Sequence, residues 1–522
     1  MTGSGRTSPY PDTADGASLT IENGRLEVSS GPPPLNRALA RHKNRTKSRP
    51  GDFKTSNTSY VYGETAAIHI FLAILCVLLS ACATSYSRIA NTEAHGVLPV
   101  SVDAASKLST TQRSGDILLF VAFSGGGTRA AAFSYGVLEE LRDTHIRHAG
   151  KDIRLLDEID AISSVSGGSF TAAYYRLFGD QIFEDYEDRF LKRNVQQSLI
   201  NSMLNPANWF RLLASGFDRT ELAIDYYDRN IFHGRTFGDL LARPGPRLDI
   251  NATDLSIGER FTFSAERFRL LCSDISDFHV ARAVAASSAV PVAFAPIVLK
   301  NYDSCKIQEP EWLTQVRQDA NPKTRLQGLI AALDSYRDKQ ARPYIHLVDG
   351  GITDNLGVRA IYDRVKIMGG PVNAARLLQQ TTPKVIAVIV VNAGTRPSSP
   401  MDLSSDEPNA AAIMSAVSRT ELQRYSVESL ALMHRKLGEW ADELSTEGYT
   451  VTPYFITLDF ESIADLKTRS VFNNMATSFS LPAEEVDALK DAGHRLLRQS
   501  PEFKQLLSHL QTAKHTSQEN RR

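Results

Sequence analysis

The chain has 522 residues, of which 42% are hydrophobic and 22% are charged, and its formal net charge is −1. This is an ordinary globular composition, with enough length for a sizeable core. The nearly balanced charge gives no global field that would attract nucleic acid, so we expect no nucleic-acid partner.

Residues 1–65 are predicted to form a disordered, basic N-terminal segment. The segment is rich in Ser, Thr, Gly, Pro and Arg, and five of the nine residues 41–49 are Arg or Lys. Such a composition buries too little apolar surface to offset the entropy of ordering the chain.

Residues 66–82 form a short apolar region that ends in a cysteine. The run from Ile70 to Leu79 is shorter than the roughly 20 residues of a membrane span and is typical of a signal-peptide core. The following Ser80-Ala81-Cys82 completes a pattern that resembles the bacterial lipobox. That resemblance implies cleavage before Cys82 and lipidation of Cys82. The alternative is a buried apolar helix that contains Cys82 by chance.

The residue after Cys82 is alanine, which resembles the sorting signal of an outer-membrane lipoprotein facing the periplasm. More than 60 residues precede the apolar run, which is longer than lipoprotein signals usually allow. Either the true start lies nearer the apolar run, or the segment is an uncleaved signal anchor in the inner membrane, which is the alternative location. We expect residues 83–113 to form a tether.

From residue 114 onward the pattern alternates between strands and helices, which predicts an α/β layered sheet. "DILLFVAFS", "IDAISSV" and "KVIAVIVVNA" are apolar runs of the kind found in buried parallel strands. An amphipathic helix is predicted from about Ala410 to Leu444. We place the catalytic domain at 114–400, its helical and strand extension at 401–513, and a polar tail at 514–522.

Cysteine usage leaves one question open in the body of the chain. After Cys76 and Cys82 of the apolar region, only Cys272 and Cys305 remain. In an exported protein these two could pair as a disulfide, and otherwise they are two buried thiols. Their spacing does not decide between the two.

The stretch "VAFSGGGTRAAAFSYG" places Gly125, Gly126 and Gly127 between a strand and a helix. Their backbone N–H groups could stabilise the oxyanion of an acyl-transfer transition state. A phosphate-binding loop is disfavoured, because neither of the common glycine-rich phosphate motifs is complete here. Arg129 is expected to add positive potential beside this loop or to hold it by a salt bridge; the alternative is a solvated arginine.

Ser166 follows the second strand in "ISSVSGGSF" and precedes a helix, which is the setting of a nucleophile elbow. The first glycine of the general elbow motif is replaced by Ser164. Asp349 follows a later strand in "YIHLVDGGITDNLG". Taken singly, each stretch could be a structural turn.

In this order, the three motifs resemble the patatin-like phospholipase family. The stretch "ARAVAASSAVPVAFAPI" agrees with this, and the C-terminal "NNMATSFSLPAEEVDAL" resembles a bacterial lipoprotein branch of the family. The resemblance implies a three-layer α/β/α fold with a mainly parallel sheet and helical insertions. It also implies a Ser–Asp dyad, with Ser166 as nucleophile and Asp349 as base. His346 lies three residues before Asp349 on an alternating strand and should face the other side.

We therefore expect a serine lipid acyl hydrolase that acts on phospholipid or lysophospholipid at a membrane. No cofactor is implied, and no His, Asp or Glu cluster has metal-ligand spacing. A non-phospholipid serine esterase or thioesterase would use the same residues with a different acyl pocket. A membrane-anchored lipid-binding protein without turnover is the third possibility, although such a protein would need neither Ser166 nor Asp349.

Overall fold

A computed structural model of the protein describes residues 17–22, 25–30, 88–99, 113–148, 150–205, 218–291, 293–308, 314, 317, 325–378, 382–397, 401 and 405–512. The chain divides into two compact units, residues 1–86 and 87–522. Cys82, the apolar region 66–82 and the tail 514–522 lie outside the described residues.

In the first unit, strands β1 (Ala17–Glu22) and β2 (Arg25–Ser30) form an antiparallel hairpin. These twelve residues fall within the segment 1–65, whose composition predicts disorder. Cross-strand pairing supplies partners for backbone groups whatever the composition of the side chains.

The second unit contains the remaining strands. They are β3 (Thr92–Glu93), β4 (Gly96–Pro99), β5 (Ile117–Phe123), β6 (His145–His148), β7 (Lys151–Arg154), β8 (Ile159–Val165), β9 (Arg247–Asp254), β10 (Glu259–Phe263), β11 (Ser273–Asp274), β12 (Ile297–Lys300), β13 (Cys305–Gln308), β14 (Tyr344–Asp349), β15 (Val385–Asn392) and β16 (Thr452–Asp459).

The α-helices are distributed along the whole of this unit. They are α1 (Gly127–Asp143), α2 (Gly167–Phe178), α3 (Ile182–Tyr186), α4 (Val195–Leu204), α5 (Arg219–Tyr227), α6 (Phe237–Ala242), α7 (Ala265–Leu270), α8 (Val280–Ser287), α9 (Arg325–Ser335), α10 (Gly351–Asp354), α11 (Val358–Ile367), α12 (Pro371–Leu378), α13 (Ala410–Leu444), α14 (Leu466–Asn474), α15 (Ala483–Gln499) and α16 (Pro501–Thr512).

The central sheet has the order β12-β14-β9-β8-β5-β15-β16, and β10 pairs with β9. The five strands from β9 to β16 in this order are mutually parallel, whereas β10, β12 and β14 pair antiparallel to their neighbours. The sheet is therefore mixed, with a parallel centre. Strand β5 is apolar and fully buried, and β15 is apolar and buried up to its last residue, Asn392. Both fit this position, because helices cover both faces of a parallel sheet.

Helices lie on both sides of the sheet, which confirms the predicted three-layer α/β/α class. On one face, alternate residues of β5 such as Leu118 and Phe120 pack with α11, α12 and the C-terminal half of α13. On the other face, α1 packs on β15, α2 and α15. Helices α1 and α15 approach closely, since a Cβ atom on Gly136 would lie 1.9 Å from the carbonyl oxygen of Lys490.

The pairing of β14 brings two distant turns together. Residues 247–251 of β9 pair with β8, and residues 252–254 of β9 pair with β14. Asp349, the last residue of β14, is therefore opposite Ala252, next to the point where β8 ends at Val165. The turns that follow β8 and β14 therefore meet near the carboxyl end of β8.

Part of the expected tether is packed against the body. Strand β3 pairs with β11, and β4 pairs with β13. Asn91 is buried and its amide donates to the Ser273 hydroxyl and the Lys300 carbonyl. Residues 88–99 thus differ from a free tether, because strand pairing and a buried amide hold them.

The long helix α13 spans the range predicted from its apolar spacing, Ala410–Leu444. The C-terminal segment after it belongs to the same structure, since β16 completes one edge of the central sheet. Within the described residues, no helix is both long enough and apolar enough to cross a membrane.

Candidate active site

Ser166 lies on a sharp turn between β8 and α2. Its backbone has φ 49° and ψ −120°, a conformation that L-residues rarely adopt and that costs about 1–3 kcal/mol. The position after Ser166 requires glycine, because a Cβ atom on Gly167 would lie 2.0 Å from the carbonyl oxygen of Gly127. The absence of a side chain there lets the serine turn and the glycine loop touch through their backbones.

The Ser166 hydroxyl donates a hydrogen bond to Asp349 Oδ2 at 2.9 Å. The other carboxylate oxygen, Oδ1, accepts the Gly351 N–H at 2.7 Å. Both side chains are largely buried, with Ser166 6% and Asp349 9% exposed. The sequence placed these residues 183 positions apart, and the structure brings them into direct contact.

Burial raises the pKa of Asp349 to about 6, while the bonds from Gly351 and Ser166 oppose that rise. Among the described residues, no cation contributes to the pKa shift of this carboxylate. A carboxylate in this state is a better proton acceptor than an exposed one, because desolvation makes its charge less favourable. His346, the nearest histidine in sequence, is exposed on β14, where the alternation of the strand predicts it.

The backbone of Asp349 is fixed by its neighbours. Its N–H donates to the Ala289 carbonyl at 2.9 Å, and its carbonyl accepts the Thr253 hydroxyl at 2.9 Å. The next N–H, that of Gly350, donates to the Ser287 carbonyl at 3.0 Å. The end of α8 and strand β9 therefore hold the turn that presents the carboxylate.

Ser287 connects both halves of the site and was not identified from the sequence. Its hydroxyl accepts the Ser166 N–H at 2.8 Å and donates to the Asn251 carbonyl at 2.6 Å. It also lies 3.0 Å from the Ser169 hydroxyl, which donates to Ser164 Oγ. The sequence feature that could have pointed to Ser287 is the serine pair within "AASSAV". Nothing in that stretch indicates that one of the two serines contacts the turn at Ser166.

The glycine loop lies directly beside Ser166. A Cβ atom built on Gly125 would be 3.3 Å from Ser166 Cβ and 2.5 Å from Asn355 Oδ1. The Gly125 N–H, however, donates to the Asn355 carbonyl at 2.9 Å. This corrects the expectation that all three glycines offer free donors, since the Gly125 N–H is already used in this conformation.

Gly126 and Gly127 differ from Gly125 in this respect. Among the residues that the structure describes, neither of their N–H groups has a hydrogen-bond partner. Gly126 has φ 144°, which disfavours any residue with a side chain. The loop that contacts Ser166 through Gly125 thus has two N–H groups, those of Gly126 and Gly127, without a partner among the described residues.

Arg129 holds the loop through neutral partners. Its Nε and Nη1 donate to the carbonyls of Ala393 and Met475 at 2.9 and 2.7 Å, and Nη2 donates to Thr477 Oγ1 at 3.0 Å. The side chain is buried, so the reading as a solvated arginine is wrong. Burial lowers its pKa to about 10, which leaves it protonated at neutral pH. The expected salt bridge is replaced by backbone carbonyls and one hydroxyl.

The two body cysteines, Cys272 and Cys305, are joined by a disulfide with their Cα atoms 5.4 Å apart. The bond links the residues after α7 to the start of β13. The proposed lipidation site Cys82 lies outside the described residues. In the described part of the chain, no group of three or more His, Cys, Asp or Glu side chains could hold a metal ion.

Residues 121–362 match the family model described as Patatin-like phospholipase. The match contains Ser166, Asp349 and the glycine loop, and it covers somewhat less than half of the chain. No curated protein shows significant sequence similarity to this chain.

Two similar solved structures are those of human GIVD cytosolic phospholipase A2, alone and in complex with methyl gamma-linolenyl fluorophosphonate. Each is 13% identical with a TM-score of 0.39, and each match covers 79% of this chain. The matches cover 65% and 62% of the respective solved chains. These scores are too low to establish a common fold.

Proposed function

We propose that the protein is a serine lipid acyl hydrolase that uses Ser166 and Asp349 as a catalytic dyad. The observation that carries this proposal is the 2.9 Å hydrogen bond from Ser166 Oγ to a buried carboxylate whose pKa is raised to about 6. The match of residues 121–362 to the patatin-like phospholipases supports a lipid ester as the substrate class. A phospholipid or lysophospholipid is the substrate that we propose.

In the first step, Ser166 Oγ attacks the ester carbonyl carbon while its proton passes to Asp349 Oδ2. The carbonyl oxygen becomes an oxyanion that the free N–H groups of Gly126 and Gly127 can stabilise. Collapse of this intermediate breaks the bond to the alcohol, which leaves with the proton held by Asp349. The acyl group remains on Ser166 as an ester.

In the second step, Asp349 accepts a proton from water, and the hydroxide attacks the acyl-enzyme carbonyl. The bond to Ser166 then breaks, Ser166 regains the proton from Asp349, and the fatty acid is released. The same carboxylate thus serves both steps, and in each step it acts first as a base and then as an acid. The raised pKa suits this double role, because a general base acts best when its pKa is near the working pH.

We also propose that the protein works at a membrane, anchored through Cys82. The support is the apolar run that ends in Leu79-Ser80-Ala81-Cys82. Because residues 88–99 pack on the body, the span available as a tether is shorter than 83–113. The outer-membrane location facing the periplasm remains a proposal, with the inner-membrane anchor as its alternative.

The test is labelling with a fluorophosphonate probe followed by peptide mapping. We expect the probe on Ser166, and Ser166→Ala should abolish labelling and lower ester hydrolysis by several orders of magnitude. Ser264→Ala is the matched control, because Ser264 also directly precedes a helix and its hydroxyl accepts the Arg267 N–H. The control should label as the parent does.

Labelling of a different serine would contradict the assignment of the nucleophile. Vesicle binding without labelling or turnover would instead favour a lipid-binding protein. Both results are distinguishable from misfolding by the thermal unfolding of each variant.

A further inference from the structure

Helix α13 is much longer than the strands that it covers. Its 35 residues extend over about 52 Å, whereas an eight-residue strand such as β15 extends over about 26 Å. The helix ends at Leu444, and the chain then enters β16 at the amino edge of the parallel strands. The N-terminal half of α13 must therefore project beyond their carboxyl edge.

Among the described residues, the buried side chains of this helix all lie in its C-terminal half. Met433, Leu437 and Trp440 belong to the core on one face of the sheet. Farther toward the N-terminus, Arg359 of α11 lies 3.9 Å from the centre of the Tyr425 ring and donates to the Ser429 hydroxyl. Of the side chains described in residues 410–428, none is buried.

This projecting segment, residues 410–428, carries an exposed apolar patch. Ile413, Met414 and Val417 are 45%, 63% and 51% exposed. Ile413 and Val417 border a shallow depression of about 300 Å³. Residues 408–418 contain no charged side chain. Contiguous exposed apolar residues of this kind mark an interaction surface.

The patch lies at the same edge of the sheet as the dyad. Helix α10 begins two residues after Asp349 and packs against α13. Ile352 of α10 is 46% exposed, and Val290 is 43% exposed next to Ala289, whose carbonyl holds the Asp349 N–H. Exposed apolar side chains thus occur both on the projecting helix and in the turns around the candidate catalytic carboxylate.

We propose that the projecting half of α13 is a lipid-docking element that inserts Ile413, Met414 and Val417 into the surface of a lipid aggregate. The proposal rests on the proposed function, because a lipid ester resides in such an aggregate and must reach Ser166 from it. The uncharged run 408–418 favours insertion into the acyl region, since a charged side chain there would resist desolvation. A second copy of this chain, or another protein, is an outcome that the experiment separates.

The experiment measures binding to vesicles of dioleoylphosphatidylcholine and turnover of two substrates. Binding is measured in the Ser166→Ala background by vesicle sedimentation. Turnover is measured with the vesicle phospholipid and with p-nitrophenyl butyrate, a soluble monomeric ester. The variants are the triple I413S/M414S/V417S and the single Val417→Ser.

Val372→Ser is the matched control for Val417→Ser. Val372 is the second residue of α12 and is 56% exposed. The nearby Gly370 lies beside Glu443 at the C-terminal end of α13, so Val372 lies near the amino edge of the strands, away from the dyad. We expect the triple variant to bind vesicles at least about tenfold more weakly, since three apolar side chains no longer insert. Vesicle phospholipid turnover should fall in parallel, and p-nitrophenyl butyrate turnover should stay within about twofold.

Vesicle binding by the triple variant as tight as that of the parent would overturn the proposal. The proposal would also fail if Val372→Ser weakened vesicle binding as much as Val417→Ser does. A change from dimer to monomer in the triple variant, with unaltered vesicle binding, would overturn it as well. If neither ester is turned over by the parent while the binding difference stands, the proposed function fails and the docking element does not. Thermal unfolding shows that each variant is folded.

Discussion

Replacing Asp349 by asparagine should abolish activity and at the same time stabilise the fold above neutral pH. The pKa of the carboxyl is about 6 in the folded protein, against an ordinary value of 3.8. A gap of about two units corresponds to about 3 kcal/mol of unfavourable free energy for the ionised, buried carboxylate. Asparagine has no charge to desolvate. It can also keep both contacts, with its oxygen accepting the Gly351 N–H and its amide donating to Ser166 Oγ.

The sign of this effect depends on pH in a defined way. Because its folded pKa is raised, the folded state holds a proton more tightly than the unfolded state between about pH 4 and about pH 6. The stability of the parent therefore falls as the pH rises through this window. Asp349→Asn should be more stable than the parent by up to about 3 kcal/mol at pH 7 to about 8, and the difference should vanish below about pH 4.

The assay is urea unfolding followed by circular dichroism across this pH range. Asp277→Asn is the control, since Asp277 is an exposed carboxylate and its replacement should change stability little at any pH. In parallel, kcat/KM of the parent should rise about tenfold per pH unit below pH 6 and level off above it, because only the ionised carboxylate can act as base. Asp349→Asn should lose several orders of magnitude in turnover.

A stability difference that does not vary with pH would refute the reasoning, because the effect would then not come from desolvation of the carboxylate. A variant less stable than the parent at pH 7 would refute it as well. Turnover retained in Asp349→Asn would exclude Asp349 as the base, whatever the unfolding curves show.

Three further predictions follow from the same contacts. Ser287→Ala should lower kcat about tenfold or more with little change in KM, because it removes the acceptor of the Ser166 N–H. Ser288→Ala should leave kcat unchanged, because the Ser288 hydroxyl bonds to a carbonyl of its own helix. An equal effect of both variants on kcat would contradict a positioning role for Ser287. Reduction or replacement of Cys272 and Cys305 should destabilise the body by about 3–4 kcal/mol, given their separation of 33 residues, and peptide mapping without reductant should find them linked rather than as free thiols. Cys82→Ser should block lipid attachment and cleavage, and a mature N-terminus found elsewhere by mass spectrometry would reject the anchoring proposal.

The parts of the site that could be predicted are those with a local signature. Ser166 follows an apolar strand and precedes two glycines, and the close approach of Gly167 to Gly127 explains why those glycines are needed. Helix α13 was predictable from its apolar spacing. The proposed role of Asp349 required the resemblance to a family, because Asp-Gly alone indicates only a turn.

The remaining features depend on contacts between distant segments. Ser287 acts on a residue 121 positions away, and the Gly125 N–H is taken by the carbonyl of Asn355, far along the chain. The packing of residues 88–99 rests on two short strands without a periodic pattern. No local rule predicts such pairings, since tertiary contacts override the weak preferences of short segments.

The partners of Arg129 have a consequence for the limits of the folding unit. Its guanidinium bonds to residues 393, 475 and 477, and β15 separates β5 from β16 in the sheet. The three partner residues and the strands β15 and β16 all lie after residue 362, where the match to the family model ends. A fragment cut at that boundary would leave a buried cation without acceptors and one edge of β5 unpaired. The segment that matches the family model and the C-terminal third outside the match therefore depend on each other for buried hydrogen bonds and strand pairing, and the two parts are expected to unfold in a single transition.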